Sequence, residues 1–292
     1  MSPTRVARIA CLLLVLLHPC ASRATRVQRG SEVKSEAQLS REEGLKLYAL
    51  GRYREAAESF RRAVGSKPDY PEAYNDLGMA LLNAGLTADA FAAFRRALSL
   101  RPDFPEAHYN LGSAYYASGQ VEEAVTAFEK AVRLRPDYAW AHYNLGIVYR
   151  DAGRPADAVE QLGRAAELMP GWPEAHAHLA LALYEAGKTA AAIESLERAV
   201  RLNPRYAEAH NSLGVLYFEA GRRADAEAAF GRAVRLRPDF AAARYNLAAA
   251  SLARNKRDAA FAQYRALKNL DERLALKLYG GLTRGMILSL AK

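Results

Sequence analysis

The sequence predicts an all-α protein, a solenoid of about seven helix pairs, and three recurrent residue types support this prediction. Alanines recur every 34 residues, at Ala56, Ala90, Ala124, Ala158, Ala192, Ala226 and Ala260. Prolines keep the same step, at Pro68, Pro102, Pro136, Pro170, Pro204 and Pro238. So do glycines, at Gly51, Gly85, Gly119, Gly153, Gly187 and Gly221. A fixed period of this length indicates stacked repeats, which usually present an extended surface to another molecule.

Residues 1–24 carry the features of a secretory signal peptide. Arg5 and Arg8 form a positive start, a nine-residue apolar run covers 9–17, and small residues precede Thr25. Such a run is about half as long as the roughly 20 residues that a membrane-spanning helix needs. We therefore expect export to the periplasm or the medium of a bacterium. Two alternatives stay open: the segment is retained as an anchor, or Cys20 is lipidated. We expect membrane association only through residues 1–24.

Composition and charge narrow the possible functions. Both cysteines, Cys11 and Cys20, lie in the first 24 residues, so the chain after them offers no disulfide or thiol chemistry. The formal net charge is +9, and much of the surplus lies just before the repeat prolines. That place is a helix C-terminus, where cations oppose the helix dipole. We therefore do not expect nucleic-acid binding.

The order of segments follows from the repeat phase. Residues 25–36 are polar and are expected to form a linker, and residues 275–292 form a C-terminal segment. Between them the seven predicted repeats are 37–70, 71–104, 105–138, 139–172, 173–206, 207–240 and 241–274.

The repeat 105–138 illustrates the predicted helix pair. Pro105 opens the first helix, because proline is tolerated at the first helical position. Gly119 ends it, because glycine adopts the left-handed conformation without strain. Asn255 takes this place in the last repeat, and asparagine also tolerates that conformation. The second helix runs from about Val121 to Arg135, with apolar residues at helical spacing.

The C-terminal segment is expected to cap the stack. The seventh repeat has Glu272 in place of the closing proline, and Asp271 is suited to cap a helix that begins near Glu272. Leu274, Leu278 and Leu282 lie at helical spacing. We expect them to cover the exposed end of the last repeat.

These positions resemble the tetratricopeptide repeat (TPR) pattern over residues 37–274. In one repeat the matching residues are Leu111, Gly112, Ala124, Phe128, Ala131 and Pro136. Departures are local: Ala180 and Ala248 replace the first-helix glycine, and Leu162 and Leu196 replace the second-helix aromatic. The resemblance implies a right-handed α-solenoid of helix-turn-helix repeats whose first helices line a concave groove.

The resemblance also implies which residues line that groove. In superhelical repeats of the O-GlcNAc transferase type, asparagines directly before the first-helix leucine hold the main chain of a peptide. Asn110, Asn144 and Asn246 stand at this place. An amide offers a donor and an acceptor, so it can hold main chain whatever the side chains are. The other predicted groove residues are Tyr109, Tyr143, Tyr116, Tyr184 and Arg150.

Two features limit the groove hypothesis. Other repeats have Glu42, Asp76, His178 or Ser212 at this place, so the asparagine series is interrupted. The tyrosines can equally fill gaps between neighbouring helices, since aromatic rings dominate core packing as well.

No catalytic or metal site is expected. The four histidines His108, His142, His176 and His210 are each one repeat apart. That separation is too large for one ion if neighbouring repeats lie about 10 Å apart. We expect these histidines to pack between repeats, and we expect no cofactor.

The sequence therefore predicts a non-catalytic scaffold that binds an extended peptide or a segment of a protein partner, in the cell envelope. One alternative is an assembly factor of a pilus, secretion or outer-membrane complex that acts through its convex face or its ends. A weaker one is a partner subunit of a separate glycosyltransferase. The pattern does not identify the partner, the pathway or the oligomeric state.

Overall fold

A computed structural model describes residues 34–284, and this part of the chain is helical without any strand. The helices are α1 (Glu36–Ala49), α2 (Tyr53–Ser66), α3 (Pro71–Asn83), α4 (Thr87–Leu100), α5 (Pro105–Ala117), α6 (Val121–Leu134), α7 (Ala139–Asp151), α8 (Pro155–Leu168), α9 (Pro173–Glu185), α10 (Thr189–Leu202), α11 (Ala207–Glu219), α12 (Arg223–Leu236), α13 (Ala241–Ala253), α14 (Arg257–Leu267) and α15 (Glu272–Arg284). The expected signal peptide lies outside the described residues.

The helices form two compact units. Unit 1 ends at Arg154 and contains α1–α7, and unit 2 begins at Pro155 and contains α8–α15. In both units, odd-numbered helices up to α13 are the first helices of the repeats and even-numbered helices are the second helices. Each first helix packs against the second helix that follows it within the same unit. The predicted all-α fold of stacked helix pairs is thus confirmed.

The turn inside each helix pair depends on the predicted glycines. Gly51, Gly85, Gly119, Gly153, Gly187 and Gly221 all have φ between 73° and 81°. Asn255 has φ 59° and is the one non-glycine residue with positive φ in the described part of the chain. This confirms that asparagine replaces glycine in the last turn, where a left-handed residue ends the first helix.

A glycine–phenylalanine contact sets how closely the two helices of a pair approach. A Cβ built on Gly78 would lie 2.5 Å from Cε1 of Phe94, which is closer than carbon atoms tolerate. Gly44, Gly112 and Gly214 meet a phenylalanine of the following helix in the same way. Where Ala180 replaces the glycine, the smaller Leu196 replaces the phenylalanine, so the total volume at the contact is roughly kept.

The capping helix is confirmed. The Asp271 side chain accepts a hydrogen bond from the backbone N–H of Leu274, at 2.9 Å, and so caps α15. Leu278 and Leu282 are buried against the last repeat, while Leu274 is only partly buried. At the other end, Ser35 and Gln38 form a capping box at the start of α1, which the repeat pattern did not reveal.

Candidate functional site

Polar side chains link neighbouring first helices in a series of hydrogen bonds that we call the first ladder. In unit 1, Arg41 Nε donates to Asp76 at 2.6 Å and Asn110 Nδ2 to Asn75 at 2.9 Å. Asn144 Nδ2 donates to the Tyr109 hydroxyl at 3.0 Å. In unit 2, Asn246 Nδ2 donates to Asn211 at 3.1 Å. The partners are 35 residues apart each time, which is one repeat plus one residue.

A second ladder lies two helical turns further along the same helices. Asn83 Nδ2 donates to the Tyr48 hydroxyl at 2.9 Å, and the Tyr116 hydroxyl donates to Asp151 at 2.6 Å, both within unit 1. In unit 2 the Tyr184 hydroxyl is hydrogen-bonded to Glu219, and this bond raises the pKa of Tyr184. Within each unit, these side chains therefore join neighbouring repeats through the first ladder, the second ladder or both.

The structure places four predicted groove residues close together on α5 and α7 of unit 1. Asn110 is 7% exposed and Asn144 is 9% exposed, and both are fixed by the first ladder. Tyr109 and Tyr143 are also buried. Burial strongly raises the pKa of Tyr109, which keeps its hydroxyl protonated. The amides thus lie at the joints between repeats with only their edges accessible.

The remaining predicted groove residues differ in their burial and in their partners. Tyr116 lies on the same face of unit 1 and is held by Asp151, whose other oxygen is 3.6 Å from Arg150. Tyr184 and Asn246 belong to unit 2, where Tyr184 is half-buried and Asn246 is completely buried. The groove role of all these residues stays a prediction, because their bonds within the chain neither establish nor exclude contact with a partner.

Aromatic rings outside the predicted groove set pack against Tyr109 and Tyr143. The ring of Tyr109 lies 5.1 Å from that of Tyr138 and 5.7 Å from that of Phe128. Trp140 meets Tyr143 edge-on at 6.3 Å. This part of unit 1 therefore combines closely packed aromatic rings with amide groups that are held in place.

The histidines pack between repeats, as expected. The Nε2 atoms of His108, His142, His176 and His210 lie 2.8–3.2 Å from the carbonyl oxygen of the proline six residues earlier. Arg244 makes the equivalent bond to Pro238 at 2.6 Å. Burial lowers the pKa of His108 and of His210. Within residues 34–284, no group of three or more histidines, cysteines and acids is arranged to hold a metal ion.

The basic residues before the repeat prolines have specific partners. Arg101 pairs with Glu72, Arg135 with Glu106, and Arg237 with Glu208. Each of these guanidinium groups also lies 3.8–4.6 Å from the ring centre of the aromatic residue three positions later. Much of the positive charge before the repeat prolines is therefore neutralised by ion pairs within the repeats.

Among the described helices, none has the length and apolarity that a membrane span requires.

Comparison with sequence families identifies the repeats. Models described as TPR repeat or tetratricopeptide repeat match residues 41–108, 93–126, 112–153, 139–172, 180–221 and 207–240. Comparison with curated proteins finds no match.

Solved structures with similar folds are TPR proteins. YrrB, described as a TPR protein with an unusual peptide-binding site, is 27% identical with a TM-score of 0.58, over 63% of this chain and 95% of its own. MamA is 25% identical with a TM-score of 0.52, over 59% of this chain and 94% of its own. PilF of Pseudomonas aeruginosa shares the fold at 21% identity and a TM-score of 0.62, over 72% of this chain and 96% of its own. By its repeats and its fold, the chain belongs to the tetratricopeptide repeat proteins.

Proposed function

We propose that this protein is a non-catalytic scaffold that binds an extended segment of a protein partner against its first helices, outside the cytoplasm. The observation that carries the proposal is the α5–α7 face of unit 1. There the ladder residues Asn110 and Asn144 lie beside Tyr109, Tyr143 and Tyr116. The similarity to YrrB, which is described as having a peptide-binding site, supports binding as the general function.

The ladder prepares the amides for main-chain recognition. Each asparagine side chain has two N–H donors and a carbonyl acceptor, and the ladder bond uses only one donor of Asn110 and one of Asn144. A side chain that is already held in place loses little conformational entropy when a partner binds. We therefore expect a partner's main chain to bind to the accessible edges of these amides.

The test uses substitutions that preserve the joint between repeats. Asn110→Asp with Asn144→Asp keeps the side-chain size, and Asn75 and Tyr109 can donate to the new carboxylates. The variant loses the N–H donors that a peptide carbonyl needs and gains two negative charges, which repel that carbonyl. Circular dichroism checks that the variant stays folded. Full-chain wild type and variant serve as baits for an envelope extract, and captured proteins are identified by mass spectrometry.

Asn203→Asp is the matched control, because Asn203 lies in a turn and its Oδ1 accepts from the backbone N–H of Arg205 at 3.1 Å. An aspartate can accept the same bond. We expect a partner that wild type and Asn203→Asp both retain and the double variant loses. A partner retained equally by all three would contradict the groove proposal.

One observation favours the alternative that the ends of the molecule bind. Large apolar side chains are exposed on the first and last helices, namely Leu39 and Leu45 on α1 and Leu276 and Tyr279 on α15. Leu39→Ser and Leu276→Ser baits test this alternative in the same capture experiment. Loss of the partner with either of them, and not with the asparagine variant, would assign binding to an end.

A further inference from the structure

The first ladder ends on a tyrosine with no hydrogen-bond partner. Tyr245 on α13 stands one residue before Asn246, as Tyr109 stands before Asn110. Its side chain is 0% exposed, and its hydroxyl is the one buried side-chain polar atom in residues 34–284 without a hydrogen bond. A buried hydroxyl without a partner is costly, so its persistence at the end of the ladder calls for a reason.

On α15, Lys277 takes the place that Asn246 has on α13, because each is the sixth residue of its helix. It follows Tyr245 by fewer than 35 residues, because α14 is shorter than the other second helices. Lys277 directly precedes the buried Leu278, as Asn246 directly precedes Leu247. Its Nζ lies 5.2 Å from the centre of the Tyr245 ring. An ammonium group can donate hydrogen bonds but cannot accept them. Lys277 therefore provides no acceptor for the Tyr245 hydroxyl, and it forms no ion pair within the described residues.

The ladders elsewhere in this chain show which groups bond to a ladder tyrosine or a ladder cation. The Tyr116 hydroxyl donates to the carboxylate of Asp151, and the Tyr184 hydroxyl bonds Glu219. In the first ladder, the cation Arg41 is likewise matched by the carboxylate of Asp76. Tyr109 and Tyr48 instead accept a bond from an asparagine amide. A neutral amide does not neutralise a cation, so a carboxylate is the one group among these partners that suits both the Tyr245 hydroxyl and the neighbouring Lys277.

The helix surface beside Lys277 leaves room for that group. Gly280 follows Lys277 by three residues and so lies on the same face of α15. A Cβ built on Gly280 has no heavy atom within 4 Å, so the space next to it is open. The neighbouring cations have other partners: Arg244 bonds Gln263 and the Pro238 carbonyl, and Arg257 bonds the Leu282 carbonyl.

We propose that Tyr245, Lys277 and Gly280 form a second binding site, which receives the carboxylate of an acidic side chain from a protein partner. Because the Tyr245 hydroxyl is buried and Lys277 Nζ lies over its ring, binding requires the Lys277 side chain to move outward. The carboxylate then accepts one hydrogen bond from the Tyr245 hydroxyl and one from Lys277 Nζ, while Gly280 leaves space for the rest of the acidic side chain. The site lies on α13 and α15 of unit 2 and does not depend on the proposed groove of unit 1.

The direct test is an NMR titration of the 15N-labelled full chain with N-acetylaspartate methylamide. N-acetylasparagine methylamide is the neutral probe of equal size. We expect the acid to shift the amide signals of Tyr245 and of α15, and the amide to leave them in place. Tyr245→Phe and Lys277→Met should each abolish the shift. Equal shifts with both probes, or an unchanged response in Tyr245→Phe, would overturn the proposal.

A tethered carboxylate gives a second test, in case the free probe binds weakly. Gly280→Asp places a carboxylate beside Lys277, and Gly280→Asn places an amide of the same size there. We expect a higher melting temperature for Gly280→Asp than for Gly280→Asn. That difference should become smaller when Tyr245→Phe is added, because only the bond to Lys277 then remains. Equal melting temperatures for the two variants would count against the site.

Discussion

At the scale of single residues, the ladder side chains join repeats by specific hydrogen bonds. Tyr116 and Tyr245 are both buried tyrosines on first helices, but only Tyr116 has a hydrogen-bond partner, the carboxylate of Asp151. The contribution of a tyrosine hydroxyl to stability should therefore differ sharply between the two positions.

Replacing each tyrosine by phenylalanine measures that difference. We expect Tyr116→Phe to lower the free energy of unfolding by about 1.5 kcal/mol, because Asp151 loses a charge-assisted bond. Tyr245→Phe should leave it unchanged or raise it slightly, because its hydroxyl makes no bond. Urea denaturation followed by circular dichroism gives both values. A loss of equal size in the two variants would contradict the ladder account.

The histidines predict how the stability changes with pH. Burial lowers the pKa of His108 and of His210 in the folded state, with Lys130 near His108, and Arg232 and Arg235 near His210, acting in the same direction. The unfolded chain then binds protons more readily than the folded one. These residues therefore contribute stability above about pH 6.5 that is lost as the pH falls towards the folded-state pKa.

Thermal unfolding of wild type and of His108→Gln with His210→Gln tests this pH dependence. Glutamine keeps an N–H donor but does not titrate. We expect the melting temperature of the wild type to fall more than that of the variant between about pH 7.5 and about pH 5. Parallel curves for the two proteins would show that the histidines do not cause the change.

At the scale of elements, the glycine–phenylalanine contact controls the spacing of a helix pair. Gly78 has no room for a Cβ, whereas a Cβ on Gly163 of α8 would meet no atom within 4 Å. Replacing glycine by alanine should therefore have opposite effects on stability at the two positions. We expect Gly78→Ala to destabilise by about 1–3 kcal/mol through overpacking against Phe94. Gly163→Ala should stabilise by about 0.5–1 kcal/mol through its higher helix propensity. Denaturant midpoints check both, and destabilisation by both variants would contradict this explanation.

The helix pairs could be predicted from the sequence because one residue type recurs at each structural position. Glycine at the turn and alanine at the contact reappear every 34 residues, and each has a local physical reason. The capping helix could likewise be predicted, from Asp271 and the leucines that follow it.

The ladders could not be predicted in the same way. Their joints combine different residue types, such as arginine with aspartate and asparagine with tyrosine. Their spacing of 35 residues is also not the period of the repeat. The asparagines were identified only as groove residues, and their burial between repeats depends on how closely neighbouring first helices approach. A search for polar pairs at a spacing of 35 residues would have found these joints.

At the scale of the whole molecule, the outer face of α1 differs from that of other first helices. Glu43 and Lys46 stand where α3 has the buried residues Leu77 and Ala80. Leu39 is 54% exposed, while Ala73, at the same place in α3, is fully buried. With Glu43 and Lys46, this face of α1 is more polar than that of α3, as is typical of a capping repeat, and Leu39 is its exposed apolar residue.

The capping helix of unit 2 should open before the repeat it covers. Helix α15 contains Gly280, a residue of low helix propensity, and it buries only one face against α13 and α14. We expect the amide hydrogens of α15 to exchange at least about tenfold faster than those of α13, a difference of about 1.4 kcal/mol. Hydrogen exchange read by mass spectrometry measures this. Equal protection of the two helices would show that α15 and its repeat unfold together.

The central claim is that a partner binds against the first helices of unit 1. Photo-crosslinking in the cell tests it most directly, with a benzoylphenylalanine in place of Ala117 or Ala92. Ala117 is exposed on α5 next to Tyr116, and Ala92 is exposed on the second helix α4 of the same unit. The account predicts a crosslinked partner from position 117 and none from position 92. A partner crosslinked only from position 92 would contradict it and assign binding to the outer helices.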